Sequence, residues 1–207
     1  MYKLKICGMK YPDNIRQLIN LKPDFIGFIF YDKSKRFIDN NLNISNINIS
    51  KSINKVGVFV NSSINYINKK IIDYKLDFIQ LHGNESPQFC KKLQKTSVNI
   101  IKAFQIDEDF DFSKLKQYET ACNYYLFDTK TKLYGGSGKK FNWKVLEKYD
   151  NKKPFFLSGG IDIDDVNEIK KLKNLNIYAI DINSKFEIKA GVKDIEKIRT
   201  FSEELRM

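Results

Sequence analysis

Reactive and polar residues recur in this chain at one kind of place, just past a short apolar run. Cys7-Gly8 ends the run Leu4–Cys7, and Ser34-Lys35-Arg36 follows Phe25–Phe30. His82-Gly83 follows Phe78–Leu81, and Asp128-Thr129 ends Tyr124–Asp128. Ser158-Gly159-Gly160 ends Phe155–Ser158; Asp181, Asn183 and Ser184 fall at the end of Tyr178–Ile182. The glycine pair carries the clearest chemical message. Gly159 and Gly160 let the backbone approach a ligand closely and take φ > 0. A helix predicted to open near Asp162 would offer free N–H groups that favour an anion such as phosphate. Singly, each feature has an ordinary structural reading. The glycine pair is a strand-to-helix turn, Cys7 a buried core cysteine, His82 a satisfied turn residue and Arg36 a surface cation. Asp128 caps the loop after it. One histidine without cysteine or carboxylate spacing does not make a metal site.

The runs that end at these residues look like strands. Eight stand out: the five named above with Phe25–Phe30, and Val56–Val60 and Ile100–Phe104. They are apolar, rich in β-branched and aromatic residues, and show little polar alternation, as strands buried on both faces do. Helical patterns lie between them. Pro12–Leu21 is predicted to turn Ile15, Leu18 and Ile19 inward and Asn14, Arg16 and Gln17 outward. Ser62–Tyr74 spaces Ile64, Ile67, Ile71 and Ile72 helically after a serine cap, and Ser86-Pro87 supplies a cap and first-turn proline. Further helices are predicted over Phe112–Ala121, Trp143–Tyr149, Asp164–Leu172 and Val192–Leu205. Asn40–Lys51 reads as a poor helix or a loop. Strand then helix eight times in 207 residues points to a small α/β chain, a closed (β/α)8 TIM barrel formed by one domain over residues 1–207. A doubly wound open sheet is the alternative, but Cys7-Gly8-Met9 makes a poor phosphate loop after a first strand. In such a barrel the C-terminal strand ends share one rim, which gathers the polar residues above.

Bulk properties narrow the setting. Cys7, Cys90 and Cys122 are odd in number and widely spaced, which suits a reducing compartment. The start of the chain is too short and too charged for a signal peptide, and no apolar run approaches a membrane span. A cytoplasmic protein without membrane partners is expected. The formal charge of +11 invites a nucleic-acid reading. However, the lysines are spread along the whole chain and are not interleaved with stacking aromatics, so they read as solvated helix faces that steer small anions.

Taken in order, several stretches resemble phosphoribosylanthranilate isomerases. They are Lys5-Ile6-Cys7-Gly8, Gly27-Phe28-Ile29-Phe30 with Ser34 and Arg36, Val56-Gly57-Val58-Phe59 and Gln80-Leu81-His82-Gly83. After these come Asp128-Thr129, Gly135-Gly136-Ser137-Gly138 with Phe141-Asn142-Trp143, Leu157-Ser158-Gly159-Gly160, Asp181 with Ser184 and Glu187, and Gly191-Val192-Lys193-Asp194. The resemblance covers nearly the whole chain. It implies a TIM barrel and an acid–base Amadori rearrangement in tryptophan biosynthesis. It further implies that Asp128 is the general acid, that Cys7 is the general base, and that Arg36 pairs with the anthranilate carboxylate. Backbone groups around Gly159, Gly160, Ser184 and Lys185 would hold the phosphate, His82 and Asp181 would support the same rim, and the glycine-rich loop 135–138 would close over it. The implied partner is a small phosphorylated substrate, acted on by a monomer or homodimer, with no metal or nucleotide cofactor. Two departures matter. Lys185 stands where the family's glycine usually follows Ser-Ser, and Lys35 where a proline is common.

Two related ribosyl-phosphate enzymes fit less well. The histidine-pathway isomerase uses two aspartates, whereas the first run here ends in Cys7. Indole-glycerol-phosphate synthase relies on lysine and glutamate groups in a longer chain. A non-catalytic phosphate-binding barrel would leave Cys7 and Asp128 without a joint purpose.

Overall fold

Eight parallel strands close into a barrel in chain order: β1 (Lys3–Ile6), β2 (Phe25–Ile29), β3 (Asn54–Phe59), β4 (Phe78–Leu81), β5 (Asn99–Ile106), β6 (Tyr124–Thr129), β7 (Phe155–Leu157) and β8 (Ile177–Ile182). This computed structural model describes residues 2–38, 42, 44–130 and 140–207. Each strand lies within two residues of its predicted run. The ring is sealed by β1 against β8, with Lys5 beside Asp181.

Alternation along the strands sorts side chains into an inner and an outer set. The lowest inner layer is apolar. Phe25, Val56, Phe78, Ile101, Leu126, Phe156 and Ala179 form one buried cluster. The Phe25 ring meets Phe156 edge-on at 5.4 Å, a contact between β2 and β7 that only the barrel interior allows. Higher up, the inner positions turn polar: Lys5, Gln80, Asp128 and Asp181 are all buried. A small apolar layer of Cys7, Ile29 and Val58 sits at the C-terminal end. Gly27 makes room for it, because a Cβ there would stand 3.0 Å from both Cα and Sγ of Cys7.

Among the described residues, five α-helices and several 3-10 segments pack outside. The helices are α1 (Pro12–Ile19), α2 (Ile64–Tyr74), α3 (Pro87–Leu93), α4 (Val166–Lys171) and α5 (Ile195–Arg206). Ser63 rather than Ser62 caps α2, by accepting from the Tyr66 N–H, and Ser86 caps α3 in the same way from Phe89. Two orientations differ from those predicted. Asn14 is buried on α1, where its amide exchanges two hydrogen bonds with the Lys193 backbone, at 2.9 and 2.7 Å. Ile72 is 75% exposed, because only Ile67 of its stripe reaches full burial. Phe112–Tyr118 and Trp143–Lys148 are 3-10 rather than α-helical. Phe112 and Tyr149 press their rings on Phe127 of β6, so these segments deliver single large rings where a full helix would lay a stripe. Ile163–Asp165 is likewise 3-10 before α4 begins. Val192-Lys193 is a strand, β10, paired antiparallel with β9 (Glu187–Lys189), and the last helix begins only after Asp194. Within 40–51, Ile44–Asn46 is one 3-10 turn. The glycine-rich loop 135–138 lies outside the described residues.

Candidate active site

A cleft opens at the C-terminal rim of the barrel, the end where this architecture places its sites. Cys7, Arg36, His82, Asp128, Gly159, Gly160, Asp181, Ser184 and Lys185 all line it. The barrel thus brings together every site residue picked out in the sequence, from β1, β2, β4, β6, β7 and β8 or the loops after them.

Cys7 follows β1, its amide donating to the Ile182 carbonyl at 2.9 Å. Its side chain is buried among charged groups. Burial pushes the thiol up, Lys5 and Lys193 pull it back, and Asp181 opposes them. Lys5 lies two residues earlier on the same inward face. Its ammonium is fully buried and donates to Asp181 Oδ1 at 2.8 Å. Burial alone would lower Lys5, but Asp181 and Cys7 outweigh it and keep the lysine cationic. Asp181 also accepts from the Ser158 hydroxyl at 3.3 Å. Burial raises its carboxyl, with Lys5 opposing and Asp128 adding.

Asp128 closes the inner face of β6. Its Oδ1 accepts the Thr129 N–H at 2.8 Å, and its Oδ2 faces His82 Nε2 at 3.1 Å. The far nitrogen of that ring, Nδ1, meets Gln80 Nε2 at 2.7 Å. The sole histidine is therefore a link in a buried side-chain chain, as well as a turn residue. Behind it, Lys102 grips the Leu81 and Gly83 carbonyls and the carboxylate of Glu85, which fixes the loop after β4.

Arg36 lies across Gly8, whose φ of +80° and closeness to the Arg36 Cδ leave no room for a side chain. Its Nε and Nη2 form a fork on Glu187, at 2.8 and 2.6 Å. Lys193 donates to the same carboxylate at 2.8 Å. Burial would raise Glu187, but Arg36 and Lys193 hold it below the usual carboxylate range. Burial in turn lowers Lys193 to about 8, against the pull of Glu187. Nη1 of Arg36 is left outside the fork. Lys5, Gln80, Glu187 and Lys193 had no role assigned in the sequence. Period-2 alternation along β1 and β4 was the signal for the first two, since Lys5 must share a face with Cys7 and Gln80 with His82.

Two sets of donors were expected for an anion, the helix turn after Asp162 and the backbone around Gly159, Gly160, Ser184 and Lys185. The first turn after Asp162 is already occupied: Asp162 Oδ1 accepts the Ile163 N–H at 2.8 Å, and Asp165 accepts the Asp162 N–H at 2.9 Å. The open donors lie one step earlier. Gly159 and Gly160 have φ of +96° and +67°. Among the described residues, their N–H groups and that of Ser184 meet no acceptor. Lys185 stands beside them, 3.8 Å from Asp162, and Lys197 bonds both Asp162 and the Lys185 carbonyl. A phosphate would thus meet backbone donors with one ammonium at hand.

The comparisons with known proteins agree on one family. The model of the N-(5'-phosphoribosyl)anthranilate (PRA) isomerase family matches residues 4–204. The N-(5'-phosphoribosyl)anthranilate isomerase of Parabacteroides distasonis is 45% identical over 204 residues, which cover 98% of this chain and 92% of that one. Among solved structures, the phosphoribosyl anthranilate isomerase of Thermotoga maritima aligns with a TM-score of 0.86 at 29% identity, over 100% of this chain and 99% of its own. A phosphoribosyl anthranilate isomerase in complex with reduced 1-(o-carboxyphenylamino)-1-deoxyribulose 5-phosphate aligns with a TM-score of 0.85 at 27% identity, with the same coverage.

Proposed function

The chain belongs to the N-(5'-phosphoribosyl)anthranilate isomerase family of tryptophan biosynthesis, and from that premise we propose that Asp128 and Cys7 carry out its reaction as acid and base. The substrate is N-(5'-phosphoribosyl)anthranilate and the product 1-(2-carboxyphenylamino)-1-deoxyribulose 5-phosphate. Asp128 gives a proton to the ribose ring oxygen. The C1'–O bond breaks and the anthranilate nitrogen lone pair forms a C=N bond to C1', a protonated Schiff base. Cys7 takes the C2' proton, and the electrons of that C–H bond form the enolamine. Return of a proton to C1' and loss of one from the 2'-hydroxyl leave the ketone. The steps are proton transfers with no net redox change, so side chains suffice for them.

The remaining residues bind. Arg36 turns its free edge to the anthranilate carboxylate while Glu187 holds the other edge. The Gly159, Gly160 and Ser184 amides take the phosphate, and Lys185 adds a point charge in place of the family's glycine. Asp181 supports the floor as the counter-ion of Lys5. One domain over 1–207 carries the whole site, so a monomer or each half of a homodimer would work alone. Three free buried cysteines suit the cytoplasm, and among the described residues no helix is long and apolar enough to cross a membrane.

One observation carries the reading: a thiol just after β1 and a carboxyl from β6 line a single cleft whose other end presents three amides that, among the described residues, meet no acceptor. Cys7→Ser and Asp128→Asn should each lower kcat by about 10²–10⁴-fold with only a modest change in product binding. Near-normal turnover in either variant removes that residue from its role.

A further inference from the structure

The amides proposed for the phosphate come from two separate segments, Gly159 and Gly160 after β7 and Ser184 after β8. An anion gripped by both needs them at a fixed spacing, since donors that must first be ordered bind less tightly. The barrel ladder does not reach that far. The pairing of β7 with β8 ends at Leu157 and Ile180. Beyond it, among the described residues, no backbone hydrogen bond joins 159–163 to 183–186.

A side chain of α5 spans the gap. Lys197 Nζ pairs with Asp162 Oδ1 at 2.7 Å and donates to the Lys185 carbonyl at 2.8 Å. Asp162 lies two residues past Gly160, and Lys185 follows Ser184. Both ends of this tie are firm. Asp162 is locked to the next turn by its capping box, and Ile161, between it and the glycine pair, is buried. On the other side, Phe186 is fully buried and packs on Phe201. The lysine is also well placed itself. Its N–H donates to the Asp194 carboxylate that caps α5, at 3.0 Å, and its ammonium stands 5.2 Å from the centre of the Phe186 ring.

We propose that Lys197 is a positioning residue for the phosphate: by bonding Asp162 and the Lys185 carbonyl at once, it sets the spacing between the glycine pair and Ser184. The inference rests on the phosphate seat proposed above. Lys197 acts from behind that seat, as the support that holds two groups of binding donors in register. The other charged group beside the tie is Lys185, whose ammonium lies 3.8 Å from Asp162 Oδ2.

Lys197→Met in the full-length protein keeps a stem to cover Phe186 and removes both bonds. KM for the phosphoribosyl substrate should rise about tenfold with kcat nearly unchanged, and inorganic phosphate should inhibit about tenfold less well. Inhibition by anthranilate, which has no phosphate, should stay at its wild-type level. Lys197→Arg, with donors enough for both acceptors, should recover most of the lost affinity. Asp162→Ser separates spacing from simple charge. It keeps a cap for Ile163, falls short of Lys197 and removes a negative charge. A tie predicts weaker phosphate binding in this variant; a Lys197 that served only as a nearby cation predicts tighter binding, which would overturn the inference. The same variant decides the matter if Lys197→Met does not fold. Unchanged KM in folded Lys197→Met, or anthranilate inhibition lost along with phosphate inhibition, would also overturn it. Failure of the seat itself looks different: Gly159→Ala would then leave phosphate inhibition unaltered, whereas failure of the tie alone leaves Gly159→Ala impaired and Lys197→Met normal.

Discussion

Cys7 shows how little a residue's type decides without its surroundings. A thiol serves as a base only as thiolate, and here burial and Asp181 hold the proton on while Lys5 and Lys193 favour its loss. The net direction is upward from the ordinary thiol value. A base works when deprotonated, so activity governed by Cys7 must climb as pH rises through its ionisation. The expected kcat/KM profile therefore still rises past about pH 8.5, where an ordinary thiol would already be half ionised. A profile level from about pH 7 upward would show that Cys7 does not titrate in the free enzyme as a raised thiol does. Nothing in the residue order exposes this balance, because Lys193 meets Cys7 only through the closed barrel. Lys5 was different. Two positions before Cys7, on a strand, it had to share the inner face.

Elements were legible where their pattern was strong. All eight strands appear within two residues of the apolar runs, since strands buried on both faces leave an unambiguous trace. Ser86-Pro87 marked the start of α3 for a local reason, a cap beside a proline needing no N–H. The outer layer read less well. Asn14 looked solvent-facing because polar residues usually are, yet it is bound to the Lys193 backbone at the opposite end of the chain. The 3-10 segments lack the repeating stripe that identifies an α-helix. At the rim, a capping box fills the turn after Asp162, which leaves the glycine pair before it as the open donors of the proposed anion seat. That proposal has a test. At Gly159 a Cβ would lie 2.4 Å from Thr129 Oγ1 and 2.7 Å from its N, on a backbone with φ of +96°. Gly159→Ala should therefore cost about 1–3 kcal/mol in stability and raise KM by roughly tenfold, the worth of one lost hydrogen bond to a charged phosphate. Unchanged KM in a folded variant would place the phosphate elsewhere.

Charge belongs to the scale of the whole molecule. Lysines and arginines exceed acidic residues by 11, and the proposed substrate carries a carboxylate and a phosphate. Such a field raises the encounter rate of small anions and is screened over about 10 Å at 0.1 M salt. Raising ionic strength from about 20 to about 200 mM should lower kcat/KM several-fold and leave kcat nearly constant. A kcat/KM indifferent to salt would reduce the basic surface to a solvated coat.

The pairing of β1 with β8 bears on how the protein is made. Lys5 leaves the ribosome 176 residues ahead of the carboxylate that neutralises it. At ~5–20 residues per second that separation is roughly 9–35 s. Until then a nascent chain that packed its first strands would have to bury a naked ammonium, which is prohibitively unfavourable. The first strand therefore gains its buried setting only when the last one arrives to match its charge.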